Sequence, residues 1–291
     1  MGTPKKAPVI DLCLNIPGSD DSGWYEFLEP LLMDRESRDA FKMPAQYMFT
    51  DIPDAPSTQD YINHTIAEMD KYNIRAAMLD IDENNLVSQE AIKRHPDRFF
   101  TSFSLNPNNG ISEVERLVNA YKQFKVKAAT SFPSGTNPQT PINDKKWYPL
   151  YSKLNELKIP ICICVGVPGP RIPLATQKVE LLDEICWWFP DLKIVMRHGG
   201  EPWTEMACKL MLKYPNLYYS TSAFSPKYYP KNIIEFANTR GSHKIMYAGY
   251  FPMGLSLDRI FSELPEVPFT ESVWPKFLYE NAVSVFELEM A

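Results

Sequence analysis

Pro160-Ile161-Cys162-Ile163-Cys164-Val165 reads as a strand, and Lys193-Ile194-Val195-Met196-Arg197 and Leu217-Tyr218-Tyr219-Ser220 read as two more. Residues 179–188 and 204–214, which separate these runs, read as helices. Strand–helix–strand alternation of this kind implies parallel strands joined by right-handed crossovers. The fold therefore turns on how many such units the chain holds.

Upstream, residues 8–14 form the first strand candidate, followed by a long stretch, 17–56, rich in Pro, Asp and aromatic residues. Such a stretch is too long for a plain connector and reads as a lid or binding loop. Residues 57–72 read as a helix capped by Ser57, with Ile62, Ile66 and Met69 at helical spacing. Strands at 75–80, 99–105 and 126–130 then alternate with helices at 88–94, 112–124 and 147–157. Downstream lie a last strand, 244–248, and helical segments at 257–263 and 271–286. Eight strand candidates point to an α/β fold, a (β/α)8 TIM barrel in a single domain with a long loop after strand 1. Its usual size, about 250 residues, suits a chain of 291. No glycine-rich phosphate loop follows the first strand, which weakens the rival open sheet. The domain is expected over 8–291, behind a short tail, 1–7.

A net charge of −6 argues against a nucleic-acid partner, because phosphate binding needs clustered Lys and Arg. No run of 18 apolar residues predicts a membrane span, and the first eight residues lack the apolar run of a signal peptide. Five cysteines, Cys13, Cys162, Cys164, Cys186 and Cys208, are an odd number in apolar contexts. They suit buried thiols in a reducing compartment, so a cytoplasmic location is expected.

A barrel carries its chemistry at the C-terminal ends of its strands. Those ends bring forward Asp11, Cys13, Asn15, Asp80, Asp82, Thr130, Ser131, Cys164, His198, Thr221, Ser222 and Tyr250. Of four histidines, His64 falls within a helix, His95 at a helix end and His243 before the last strand. His198 alone ends a strand. Imidazole titrates near neutrality, so His198 can serve as base and acid, or it orders the glycine turn after it.

The segment Arg197-His198-Gly199-Gly200-Glu201-Pro202-Trp203 resembles strand six of the amidohydrolase-related proteins. These are the relatives of aminocarboxymuconate-semialdehyde decarboxylase and pyrone-dicarboxylate lactonase. Arg94-His95-Pro96-Asp97-Arg98-Phe99, Tyr148-Pro149-Leu150-Tyr151 and Asn281-Ala282 agree in order, and the resemblance spans Val9 to Leu288. The departures fall on the metal site. Where the family has Asp-x-His-x-His, this chain has Asp11-Leu12-Cys13-Leu14-Asn15. The strand-five histidine falls on Cys164 and the strand-eight aspartate on Tyr250, leaving His198 unchanged.

Asn and Tyr hold a divalent cation weakly, so the resemblance implies an enzyme without a metal cofactor. The alternative is zinc in a rebuilt Cys13, Cys164, His198 set. The expected function is metal-independent hydrolysis or a lyase step on a small aromatic or unsaturated carboxylate. His198 is the acid/base, Asp11 or Asp80 orients it, and Tyr250 donates to a developing oxyanion. Trp24, Tyr47, Arg171, Trp203, Phe224 and Tyr228 are the candidate substrate contacts, and Lys227 is a further partner for a carboxylate. The rival is a non-catalytic barrel that binds a small molecule. Relatives commonly form dimers, which makes a homodimer the expected assembly.

Overall fold

The computed structural model describes residues 7–19, 21–39 and 43–290. Eight strands form one sheet in chain order, every neighbouring pair parallel. They are β1 (Val9–Asp11), β2 (Ile74–Asp80), β3 (Phe99–Ser104), β4 (Ala128–Ser131), β5 (Ile161–Cys164), β6 (Ile194–Arg197), β7 (Leu217–Ser220) and β8 (Ile245–Met246). Helix α1 (Arg35–Asp39) lies in the long segment after β1. Helices α2 (Tyr61–Lys71) to α5 (Tyr148–Leu157), with α3 (Leu86–Arg94) and α4 (Ile111–Phe124) between, fill the crossovers up to β5. Helices α6 (Leu182–Trp188), α7 (Thr204–Lys213), α8 (Lys231–Thr239), α9 (Leu257–Glu263) and α10 (Asn281–Phe286) follow. This is the expected (β/α)8 barrel, in one domain.

Successive residues along a strand face opposite ways, and parallel strands bury both faces. One face fills the lumen with Ile10, Leu12, Ala76, Met78, Cys162 and Val195. The other packs Val9, Ala77, Leu79, Ile163, Met196 and Tyr247 beneath the helices. The lumen is plugged at the strands' N-terminal ends by Val285 and Phe286, with the Phe286 ring 5.8 Å from Phe100. Lys193 Nζ holds this plug by donating to the Val285 carbonyl at 3.1 Å.

The seam between β1 and β8 is built differently from the other seven. β8 was expected over 244–248 but stops at Met246, because Tyr247 N donates to the Phe277 carbonyl. Leu14 and Phe251 make an isolated parallel bridge, and Asn15 N donates to Phe251 O at 2.8 Å. The remaining tie is a side chain. Asp11 Oδ1 accepts the backbone N–H of Cys13 at 2.9 Å and of Gly249 at 2.8 Å. Burial pushes the Asp11 carboxyl up to about 6, against the backbone bonds and Tyr247, which pull it down.

Other local expectations shift for physical reasons. Helix α2 starts at Tyr61, because Asp60 rather than Ser57 caps it, accepting from Asn63 N at 3.0 Å. The crossover from β7 to β8 holds a helix, α8, which buries Ile233 and Ala237. The 17–56 segment is not plain loop: it holds 3-10 helices at Ser22–Leu31 and Gln46–Met48 besides α1. Its Leu28 and Leu32 pack with Ile172 in a small core of their own. The expected tail, 1–7, lies outside the described residues except for Ala7, whose carbonyl accepts from Asn73 Nδ2.

Replacing Asp11 tests the seam. Asp11→Ala strands two buried N–H donors and lowers stability by about 2–5 kcal/mol in denaturant titration. Asp11→Asn keeps an oxygen acceptor and recovers most of that loss.

Candidate active site

A cavity of about 670 Å³ opens at the C-terminal ends of the strands, under the 17–56 segment. Arg197, Cys13, Cys164, Thr130, Ser131, His198 and Tyr250 all line it. Arg197 follows Val195 by two residues on β6, so its side chain points into the lumen. Its Nη2 donates to Cys13 Sγ at 3.2 Å, and its buried Nε has no partner.

Asp80 ends β2 on the lumen side, within the field of this guanidinium, and accepts from Ser102 Oγ at 3.3 Å. Burial raises its carboxyl to about 7, although Arg197 pulls the other way. The thiols do not compensate the guanidinium. Burial raises Cys13, takes Cys164 to about 11 and takes Cys162 to about 12, so all three are uncharged at neutral pH. Arg197 is thus the permanent charge at the cavity floor, with Asp80 close enough to feel its field.

His198 sits in the left-handed region, φ 61°, and Gly199 and Gly200 continue it at 88° and 70°. Gly199 is required there. A Cβ on it would meet the Phe224 ring at 2.3 Å. The His198 N–H donates to Ser222 Oγ at 3.0 Å, and Tyr219 donates its hydroxyl proton to Gly199 O at 3.0 Å. These bonds hold a backbone conformation that costs a non-glycine residue about 1–3 kcal/mol and clusters at functional sites. The ring meets Tyr250 edge-on at 5.7 Å, and Nδ1 is buried without a partner. Burial, with Arg197 alongside, pushes the imidazole down to about 3. That shift favours the neutral ring at pH 7, whereas an unperturbed imidazole titrates near neutrality.

Tyr250 stacks on Phe49 of the long segment at 5.5 Å, and burial holds its phenol far above the ordinary value. Tyr25, from the same segment, buries its hydroxyl beside Tyr250 without a well-formed hydrogen bond. Four polar atoms around this cavity are thus buried and unpartnered: Tyr25 Oη, Ser131 Oγ, Arg197 Nε and His198 Nδ1. Buried polar atoms rarely stay unpaired, so their convergence marks a place for a polar ligand.

The remaining expected residues divide. Trp24, Phe224 and Tyr228 line the cavity, as does Asn15. Asp11 lies outside it, on the outer side of β1, because alternation turns its carboxylate to the seam. Tyr47 and Arg171 flank a separate depression, with the guanidinium 4.7 Å from the ring. Arg171 is paired there with Asp34 at 3.1 Å and Glu36 at 2.9 Å. Trp203 packs on the outer core and Lys227 pairs with Glu263. Arg197, Tyr25 and Arg259 line the cavity without having been anticipated. For Arg197 the signal was the period of two.

The donors do not fit a divalent metal. Among the described residues no three His, Cys, Asp or Glu side chains gather as a ligand set. Cys13, Cys164 and His198 share the cavity, but a fixed guanidinium on the Cys13 sulfur repels a second cation.

A closed parallel barrel with convergent polar groups at this end defines the class of (β/α)8 proteins whose sites sit at the strand C-termini. The chain belongs to the amidohydrolase family, whose model matches residues 34–288. A 2-keto-4-carboxy-3-hexenedioate hydratase from Sphingobium is 25% identical over 139 residues. That match takes in 44% of this chain and 39% of the hydratase, so it spans about two fifths of the relative's length. An uncharacterised TIM-barrel protein from Bordetella bronchiseptica superposes with a TM-score of 0.73 at 18% identity, covering 96% of this chain and 98% of that one. A 5-carboxyvanillate decarboxylase from Sphingomonas paucimobilis gives 0.69 at 15%, covering 97% and 100%. At these identities the two structures speak for the fold.

The charge state of His198 is directly measurable. Ring nitrogen chemical shifts of 15N-labelled protein keep the neutral pattern from pH 8 down to pH 5. An inflection near 6.5 in the His198 signal overturns the assignment.

Proposed function

We propose that this chain is a hydrolase or lyase that works without a divalent metal on a small aromatic or unsaturated carboxylate. The observation that carries the reading is Arg197: a guanidinium at the cavity floor with a buried, unpartnered Nε. Arg presents planar, permanently charged donors that match a carboxylate in two parallel hydrogen bonds. The hydratase and the decarboxylase above are named for carboxylated compounds, which supports the substrate class.

His198 carries the proton in this reading. Its neutral ring accepts a proton from water or from an acidic carbon. A carboxylate placed nearby favours the charged imidazole, so substrate raises the proton affinity from its low starting value. The base strengthens when the reactant arrives, and the imidazolium then returns the proton to product. Tyr250, a neutral phenol, donates to an oxygen as negative charge develops on it.

Asp80 adds a pH dependence with a defined sign. Its carboxyl, at about 7, shares Arg197 with the incoming carboxylate. Two anions on one guanidinium repel, so binding favours protonated Asp80. Affinity for a carboxylate is therefore highest below pH 7 and weakens above it, by up to about tenfold per pH unit. Asp80→Asn flattens this slope, measured by titration calorimetry between pH 6 and 9. An unchanged slope in that variant rules out the coupling.

Two substitutions separate enzyme from binder. His198→Gln is expected to lower kcat by about 10²–10⁴ while ligand still binds. Arg197→Gln loses carboxylate binding. Turnover of lactones and carboxylated phenols in chelator, lost in both variants, supports the reading; full turnover in His198→Gln sinks it.

A further inference from the structure

The cavity holds more than a single carboxylated ring. Its volume of about 670 Å³ lies mid-range for sites that take drug-sized ligands, about 300–1,000 Å³. Polar groups gather at the floor, around Arg197, His198 and Ser131. The mouth is different. Phe27 is 52% exposed, Met48 57%, Val167 52% and Tyr228 61%, and all four line the same opening.

They come from separate places: two from the 17–56 segment, one after β5 and one after β7. Single exposed apolar residues are ordinary, but four that line one cavity mark a binding surface. The cations near the mouth already have protein partners. Arg259 donates to Thr50 O at 2.8 Å and pairs with Glu263 at 3.2 Å. Lys227 also pairs with Glu263, and Arg171 is held by Asp34 and Glu36.

We infer that the substrate is an amphipathic monocarboxylate whose carboxylate sits on Arg197 and whose extended apolar or aromatic body lies against Phe27, Met48, Val167 and Tyr228. This deepens the reading of Arg197 as the carboxylate anchor and rests on it. A polycarboxylate of the same size would have to draw Arg259 or Lys227 off Glu263 to pair its outer charge, and would leave the apolar rim uncovered. A body that buries the rim gains affinity in proportion to the apolar area it covers.

Titration calorimetry on the full chain tests this with three probes: benzoate, biphenyl-4-carboxylate and benzene-1,3-dicarboxylate. Biphenyl-4-carboxylate is expected to bind roughly ten- to hundredfold tighter than benzoate, the gain from burying one further ring. The exposed rim variant Met48→Ser/Val167→Ser brings that affinity back toward benzoate. Tighter binding of the dicarboxylate overturns the inference, as does a biphenyl gain that survives in the rim variant. So does failure of all three probes to bind at millimolar concentration. Biphenyl-4-carboxamide separates the two readings. If it matches the acid, and Arg197→Gln loses nothing, the anchor itself is wrong, whatever the rim does.

Discussion

Asp11 Oδ1 takes two backbone N–H groups, one from Cys13 on its own side of the seam and one from Gly249 opposite. A barrel must join its first strand to its last, and here β8 has two residues with which to do it. The carboxylate replaces a stretch of missing ladder. Both donors belong to segments that flank the cavity, Cys13 before Asn15 and Gly249 before Tyr250. The bond that closes the fold therefore also sets where Cys13 and Tyr250 stand. A side chain in a motif that the resemblance ties to metal binding serves this chain as architecture.

The chemistry of the site follows from placing one cation in a dry lumen. Burial holds the His198 imidazole low, with Arg197 adding to it, and Arg197 moderates the rise that burial gives the Asp80 carboxyl. The thiols around it, uncharged, supply a soft lining and one sulfur acceptor rather than a counter-charge. The lumen is thus left with an unsatisfied positive centre that only a buried carboxylate or an arriving anion balances. The guanidinium and the uncharged donors around it form one electrostatic arrangement.

The alternation of strands and helices was readable because parallel strands buried on both faces leave short apolar runs, as at Ile161–Cys164. The seam was not, because the partners of Asp11 are backbone groups that carry no residue signature. Arg197 was hidden by its neighbour: His198, just past the end of β6, carries the familiar acid–base chemistry, while the period of two turns Arg197 into the lumen. The expected roles of Arg171 and Lys227 failed for a different reason. Asp34 and Glu36 lie more than a hundred residues from Arg171, and no local pattern shows that their charges are already matched. Lid positions that do face the cavity, such as Trp24 and Tyr25, depend on the winding of the Ser22–Leu31 helix. A segment rich in Pro and Asp does not announce that winding.

The plug formed by Val285 and Phe286 gives the barrel a blind end. A chamber with a floor has one doorway, so reactant and product share it and cannot pass through in single file. The outgoing molecule must clear the opening before the next is admitted. The 17–56 segment hangs over that doorway on a few tethers: Tyr47 to Gly169 O, Arg259 to Thr50 O, and Arg171 to Asp34 and Glu36. Tyr47, Asp34 and Glu36 tie it to the loop after β5, at Gly169 and Arg171, and Thr50 ties it to α9 at Arg259. Widening that doorway means undoing those polar knots and also parting Leu28 and Leu32 from Ile172 and Phe49 from Tyr250.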